Sequence, residues 1–244
     1  MGGLLRNLMT RTFYDTIPLN REIQLDLSML EATGLITHDE SLNHSMATLH
    51  GTFLNPFWLQ TTPGTYGLNM NWIYPTFDSE HFLDIPAADC VNLDFTTTDY
   101  SLAMWFNWTD TGLSQVMMGK YVVDSRGWEA YVTKIGAAES ITVRHHHGGT
   151  RTATYSLGWV VSEWHLWSYS RIGANAYHYR DGEPIATIGG PLQDPNSTIA
   201  DDFRIGCRYS ENANWFKGRF HRPRAWSRAL IADEHRLLFR LGYP

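Results

Sequence analysis

The sequence predicts an all-β fold: two antiparallel sheets packed as a sandwich, with an N-terminal arm and a short C-terminal helix. Three observations carry that expectation. Strand-like runs follow one another at spacings of about 8–14 residues, separated by turn-forming segments, as in a sandwich. Residues 101–108 (SLAMWFNW) alternate, with Leu102, Met104, Phe106 and Trp108 on one face and Ala103, Trp105 and Asn107 on the other. Both faces of that strand are therefore expected to be covered. Aromatic content is 14%, with 10 Trp and 12 Tyr, which suits wide pleated surfaces.

Taken in order, residues 1–20 read as an arm, without period-2 alternation and ending in the loop-like Ile17-Pro18-Leu19-Asn20. Residues 22–27 (EIQLDL) alternate and form the first convincing strand. A turn-rich run with Trp58, Gly64, Gly67 and Trp72 occupies 52–75, and a further strand is expected near 82–86. After the 101–108 strand, residues 116–121, 128–134, 140–146 and 152–157 continue the β pattern, followed by 163–169. Residues 177–186 read as a hairpin whose Asp181-Gly182 supplies the positive φ of a tight turn. A short strand at 203–207, a polar turn at 210–214 and the pair Trp215-Phe216 precede a last strand starting at Gly218. Pro223 removes a ladder donor from that strand, which suits an edge position. Asp233-Glu234 open the closing helix. Nothing reads as a linker, so one domain is expected over residues 21–244, behind the arm at 1–20.

Several of these stretches resemble one family. The end of the chain, from FRIGC at 203–207 to SRAL at 227–230 and the acidic helix start, looks like the C-terminal end of a laminin-G-like jelly roll of the concanavalin A-like lectin/glucanase class. Residues 38–44 (HDESLNH) with ATLHG at 47–51 resemble its loop and following strand, and FDSEHFLDIP at 77–86 resembles its Phe-Asp-Gly…Tyr-Val-Asp-Ile-Pro strand. EWHLWSY at 163–169 and the hairpin after it are similar to its late strands. The resemblance covers roughly residues 21–241 and implies a jelly roll, a scaffold shared by lectins, adhesins, glycanases and virion proteins.

The composition, 43% hydrophobic and 18% charged, describes a chain with a substantial core. No apolar run approaches the ~20 residues that span a bilayer. The first residues lack a secretory pattern, and Arg6 stands where a myristoylation motif wants Ser or Thr. Without an export route Cys90 and Cys207 read as two buried thiols, and the sequons at Asn43, Asn107 and Asn196 carry no weight. The net charge of −6 is uneven: +2 over residues 1–21, −13 over 22–216 and +5 over 217–240. Such a body is ill suited to nucleic acid, whereas basic ends suit docking on an acidic neighbour. Arg6, Arg11, Arg219, Arg222 and Arg224 are the candidate assembly residues.

No catalytic residues are assigned. A glycanase of this class would carry Glu-x-Asp-x-x-Glu on one strand, and no Glu here is followed two residues later by Asp. The inverse spacings, Asp78-Ser-Glu80 and Asp181-Gly-Glu183, fall in a loop and a turn. No Gly-x-Ser-x-Gly elbow, Walker or Rossmann pattern occurs. His145 and His147 would share a strand face, yet the local sequence offers no third or fourth metal ligand. Relatives hold calcium between a loop Asp and an Asp late in the chain. Asp78 matches the loop position, but Phe220-His221-Arg222-Pro223 stands where the second ligand should be, so no cofactor is expected. Aromatic stacking on sugar is a further possibility, with Trp58, Trp72, Trp128, Trp159 and Trp215 near loops and Trp105, Trp164 and Trp226 assigned to the core.

These features predict a non-enzymatic structural or interaction protein, with a bacteriophage capsid-decorating or virion surface component as the specific expectation. It would be made in the cytoplasm, be located in the virion outside the cell, and bind copies of itself or neighbouring subunits. The alternative is a carbohydrate-binding, lectin-like module acting on cell-surface glycan through loop tryptophans. A glycoside hydrolase or lyase comes last. Neither nucleic acid nor membrane is an expected partner.

Overall fold

A computed structural model of the chain describes residues 18–29, 31, 33–51, 58–62, 65–69, 81–135, 138–147, 150–156, 159–189, 192–209 and 214–241. The first strands are β1 (Ile23–Asp26), β2 (Ile36–His38), β3 (Met46–His50), β4 (Trp58–Thr62), β5 (Thr65–Asn69) and β6 (Phe82–Ile85). The middle supplies β7 (Tyr100–Trp108), β8 (Gln115–Val122), β9 (Arg126–Ile135), β10 (Ala138–His146) and β11 (Thr150–Ser156). Then follow β12 (His165–Ile172), β13 (Asn175–Arg180), β14 (Glu183–Gly189), β15 (Phe203–Ile205), β16 (Gly218–Trp226) and a C-terminal helix, α1 (Ala232–Leu241). Sheet I has the order β14-β13-β12-β7-β16-β5-β4, with β1 also paired to β16. Sheet II has the order β11-β10-β9-β8-β15-β6-β3-β2. The two sheets form the expected jelly-roll sandwich.

Strand β7 shows why the layers form. Its even-numbered face (Leu102, Met104, Phe106, Trp108) joins the main core between the sheets, with Trp128, Ile141 and Phe203 from sheet II. Its odd face (Ala103, Trp105) lies in a second cluster with Leu19, Ile23, Leu166, Trp226, Leu230 and Leu238. That outer cluster exists because α1 packs on the outside of sheet I. Asp233 and Glu234 in the first turn and Arg240 in the last suit the helix dipole. The Glu234 carboxylate accepts from the Ile231 N–H at 2.9 Å and binds Arg228 at 2.6 and 2.8 Å, fixing the entry. His235 is fully buried under the helix. Its ring nitrogens lie 2.8 Å from Ser168 Oγ and 2.9 Å from Ser170 Oγ, and Tyr179 stacks on it at 3.6 Å.

Pro18–Asn20 forms a single 3₁₀ turn held by the domain. Leu19 is buried, its carbonyl accepts from Trp226 Nε1 at 2.7 Å, and the Pro18 carbonyl accepts from Arg228 Nη2 at 2.9 Å. These three residues of the expected arm therefore pack on the sandwich, and residues 1–17 lie outside the described part.

The edge reading of the last strand is corrected. Strand β16 is internal, with β7 on one side and β1 and β5 on the other. The sheet tolerates Pro223 through a bulge, since the register with β7 shifts between His221 and Arg224. Arg222 takes φ +49° there, and the Pro223 carbonyl accepts from the Leu27 N–H at 3.1 Å. The Asp181-Gly182 turn is as expected, with φ of +52° and +83° joining β13 to β14.

Candidate functional site on the outer face of sheet II

On the side of sheet II away from the core, the register lines up one row across six strands, polar at every position but Gly119. Thr48 faces Asp84, Asp84 faces Arg204, Arg204 faces Gly119, Gly119 faces Glu129, and Glu129 faces Arg144. Strand alternation produces the row: Leu83, Ile85, Phe203 and Ile205 point into the core, so Phe82, Asp84 and Arg204 point out. The helix that covers the outside of sheet I has no counterpart over this row among the described residues.

The row has two centres. In the first, Arg204 Nε donates to Asp84 Oδ1 at 2.9 Å, and the Arg204 guanidinium lies over the Phe82 ring at 4.5 Å and the Tyr209 ring at 5.1 Å. His50 stacks on Phe82 at 4.7 Å, and Trp215 leans on it at 5.7 Å. Phe82, Asp84, Arg204, Tyr209 and Trp215 are all half-buried, so each presents part of its surface to solvent. Burial pushes the Asp84 carboxyl up, and neighbouring Asp202 adds to the rise, which outweighs the Arg204 hydrogen bond. In the second centre, the fully buried Glu129 accepts from Arg208 Nε at 3.0 Å and Nη2 at 2.8 Å. Arg144 Nε lies 2.8 Å from the same carboxylate, with its guanidinium over Tyr121 and Tyr131. A carboxylate so deeply buried is sustained by this pair of arginines. Gly119, between the centres, has no room for a side chain: an added Cβ would lie 2.6 Å from the Trp128 carbonyl oxygen.

The expected tryptophan platform is mostly corrected. Trp128 and Trp159 are fully buried in the main core, where their area contributes more than a rim contact could. Trp58 is buried too, and its indole N–H donates to the Gly34 carbonyl at 2.9 Å. Trp72 lies outside the described residues. Of the four described, Trp215 alone is half-buried on the row. Trp105 and Trp226 are core as expected, and Trp164 packs against the second cluster.

Two of the assembly arginines are corrected as well. Arg224 and Arg222 donate to the buried Asp26 at 2.9 Å and at 3.2 and 3.3 Å, so they neutralise an internal charge. Arg219 is half-buried on β16, and Arg6 and Arg11 lie outside the described residues. His145 is no metal ligand in this arrangement: its Nδ1 donates to the Gln193 carbonyl at 2.8 Å and its Nε2 meets the Tyr100 hydroxyl at 2.7 Å. His147 is exposed, and no group of three His, Cys, Asp or Glu among the described residues is placed to hold a metal. Asp78 and Glu80 lie outside the described residues. At the other calcium position, Arg222 brings a cation and Phe220, His221 and Pro223 bring no side-chain oxygen, so the segment does not fit that ion. Asp181 binds His165 at 2.9 Å and the Leu166 N–H at 2.8 Å, and Glu183 faces Arg236 at 3.3 Å. Cys90 and Cys207 are buried thiols, as expected.

Sequence reasoning passed over Phe82, Asp84, Arg204, Arg208, Glu129 and Arg144. The alternation in Phe82-Leu83-Asp84-Ile85 and Phe203-Arg204-Ile205 was visible, but only strand register shows that the two outward faces adjoin.

The chain belongs to the concanavalin A-like lectin/glucanase superfamily: residues 81–234 match its laminin G profile. Among solved structures it is similar to the binding domain of Paraclostridial Mosquitocidal Protein 1, at 14% identity and a TM-score of 0.65, covering 91% of this chain and 52% of that one. It is also similar to a botulinum neurotoxin type C structure described by cell entry dependent on two ganglioside molecules, at 15% identity and a TM-score of 0.66, covering 92% and 52%. A third is the binding domain of botulinum neurotoxin DC in complex with rat synaptotagmin II, at 15% identity and a TM-score of 0.65, covering 92% and 53%. The chain thus spans about half the length of these structures, and the likeness concerns the fold. No curated protein sequence matches it.

Proposed function

We propose that this chain is a non-enzymatic binding module that takes a glycan on the outer face of sheet II. The carrying observation is the first centre of the row, where half-exposed Phe82, Tyr209 and Trp215 surround the Asp84–Arg204 pair. Aromatic rings offer a flat apolar face to a pyranose, and the ion pair beside them offers hydrogen-bond partners to its hydroxyls. Glycan and protein recognition by the structurally similar toxin domains supports a binding role. A binding reading is also favoured over hydrolysis because both carboxylates of the row, Asp84 and Glu129, are held by arginines and do not form an opposed acid–nucleophile pair. A glycan array probed with the intact protein tests the reading. Saturable signal on a defined set of sugars, lost in Trp215→Ala, is expected; no signal on any sugar contradicts it.

A second reading is a subunit of a larger particle, such as a bacteriophage virion surface, which draws on the acidic body and basic ends. Arg222 and Arg224 are engaged by Asp26, so this reading now leans on Arg219, Arg6 and Arg11. Deleting residues 1–17, which spares buried Leu19, should leave a folded chain that no longer assembles. An undeleted chain that stays monomeric in light scattering removes this reading.

A further inference from the structure

We infer that the site on sheet II selects uncharged, hydroxyl-rich sugars and rejects acidic ones; the inference rests on the glycan-binding reading above. Local charge sets this preference. Three carboxylates, Asp84, Asp201 and Asp202, surround this corner, and all three raise the Tyr209 hydroxyl, after burial as the largest cause. Two guanidiniums answer them. Arg204 is engaged by Asp84, and Arg126 grips Asp201 through Nε at 2.6 Å and Nη2 at 2.8 Å. Asp202 accepts from the Ala87 backbone N–H at 2.8 Å and forms no ion pair among the described residues. The corner therefore carries one more negative than positive formal charge from these five side chains. Asp84 already feels that surplus, since Asp202 helps to push its carboxyl up.

A sugar hydroxyl suits such a corner. It can donate to the Asp84 carboxylate, which has lone pairs beyond the one taken by Arg204 Nε, and bring no charge of its own. The pyranose face can rest on the half-exposed Trp215 or Tyr209 ring. A sialic acid or sulfate would bring its charge towards Asp84 and Asp202 while the nearby guanidiniums stay engaged, and the chain around it carries −13 over residues 22–216. Selectivity then arises from repulsion of the wrong ligand as well as attraction of the right one.

The test uses the intact 244-residue chain and matched pairs of immobilised oligosaccharides, each neutral sugar beside its sialylated form, at about pH 8. Neutral members should bind about tenfold or more tightly than their acidic partners. Asp84→Asn, nearly the same shape, should weaken neutral binding and shrink the neutral-to-acidic ratio; Tyr209→Phe serves as a second variant if the first fails to fold. Equal or tighter binding of the sialylated members overturns the inference and leaves glycan binding intact, as does an unchanged ratio in a folded Asp84→Asn. An array with no signal overturns both.

Discussion

Asp26 shows how single residues hold this fold. It is 2% exposed, its backbone N–H donates to Asp39 Oδ1 at 2.8 Å, and its carboxylate receives Arg222 and Arg224. Burial pushes the carboxyl up, but the two guanidiniums outweigh it and hold the group below the usual carboxylate range. Asp26→Ala should cost about 3 kcal/mol in denaturant unfolding, because it removes the buried carboxylate that faces buried Arg224 at 2.9 Å. The histidines act with the opposite charge. Burial lowers His145 to about 4 and His235 to about 3, so the folded state keeps both neutral. The unfolded chain takes up those protons near pH 6.5, so it binds more protons than the folded state below that point. Stability should therefore fall as pH drops from about 6.5 towards 4, by about 1.4 kcal/mol per pH unit for each histidine. Urea midpoints measured across that range check this, and the slope should roughly halve in a His235→Gln background.

Elements add constraints that residues alone do not show. The β8–β9 hairpin needs Gly127, with φ +92°, because an added Cβ would lie 1.9 Å from the Lys120 carbonyl oxygen and 2.5 Å from Thr198 Cγ2. Gly127→Ala should lose about 3 kcal/mol or more by thermal unfolding. On α1, Leu238 is buried in the second cluster whereas Leu237 is 39% exposed. Leu238→Ala should cost about 2–3 kcal/mol and Leu237→Ala less than about 0.5, a contrast that chemical denaturation resolves. Elements are also where the sequence was most legible. The alternation at 101–108 foretold both covered faces of β7, and Asp181-Gly182 foretold its hairpin. Pro223 misled because a bulge lets an internal strand carry proline, and bulges arise from pairing with β7, which no local pattern encodes. Trp128 and Trp159 misled for a related reason: nearness to a loop says little about exposure when a wide core needs large rings.

At the scale of the whole molecule, the two sheets present different outsides. Sheet I is closed by α1 and the 3₁₀ turn at Pro18–Asn20, whereas sheet II carries its charged and aromatic row outward. This asymmetry is why the proposed glycan reading falls on sheet II, and it could not be read from the sequence. Phe82 and Arg204 are 122 positions apart in the chain and meet only through the β6–β15 pairing. The most direct measurement is a crystal structure of the chain soaked with the neutral oligosaccharide that gives the strongest array signal. The sugar should lie across Tyr209 and Trp215 with a hydroxyl on Asp84. Sugar bound elsewhere, at the loops that rim the sandwich or on the helix side of sheet I, would contradict the assignment of this face.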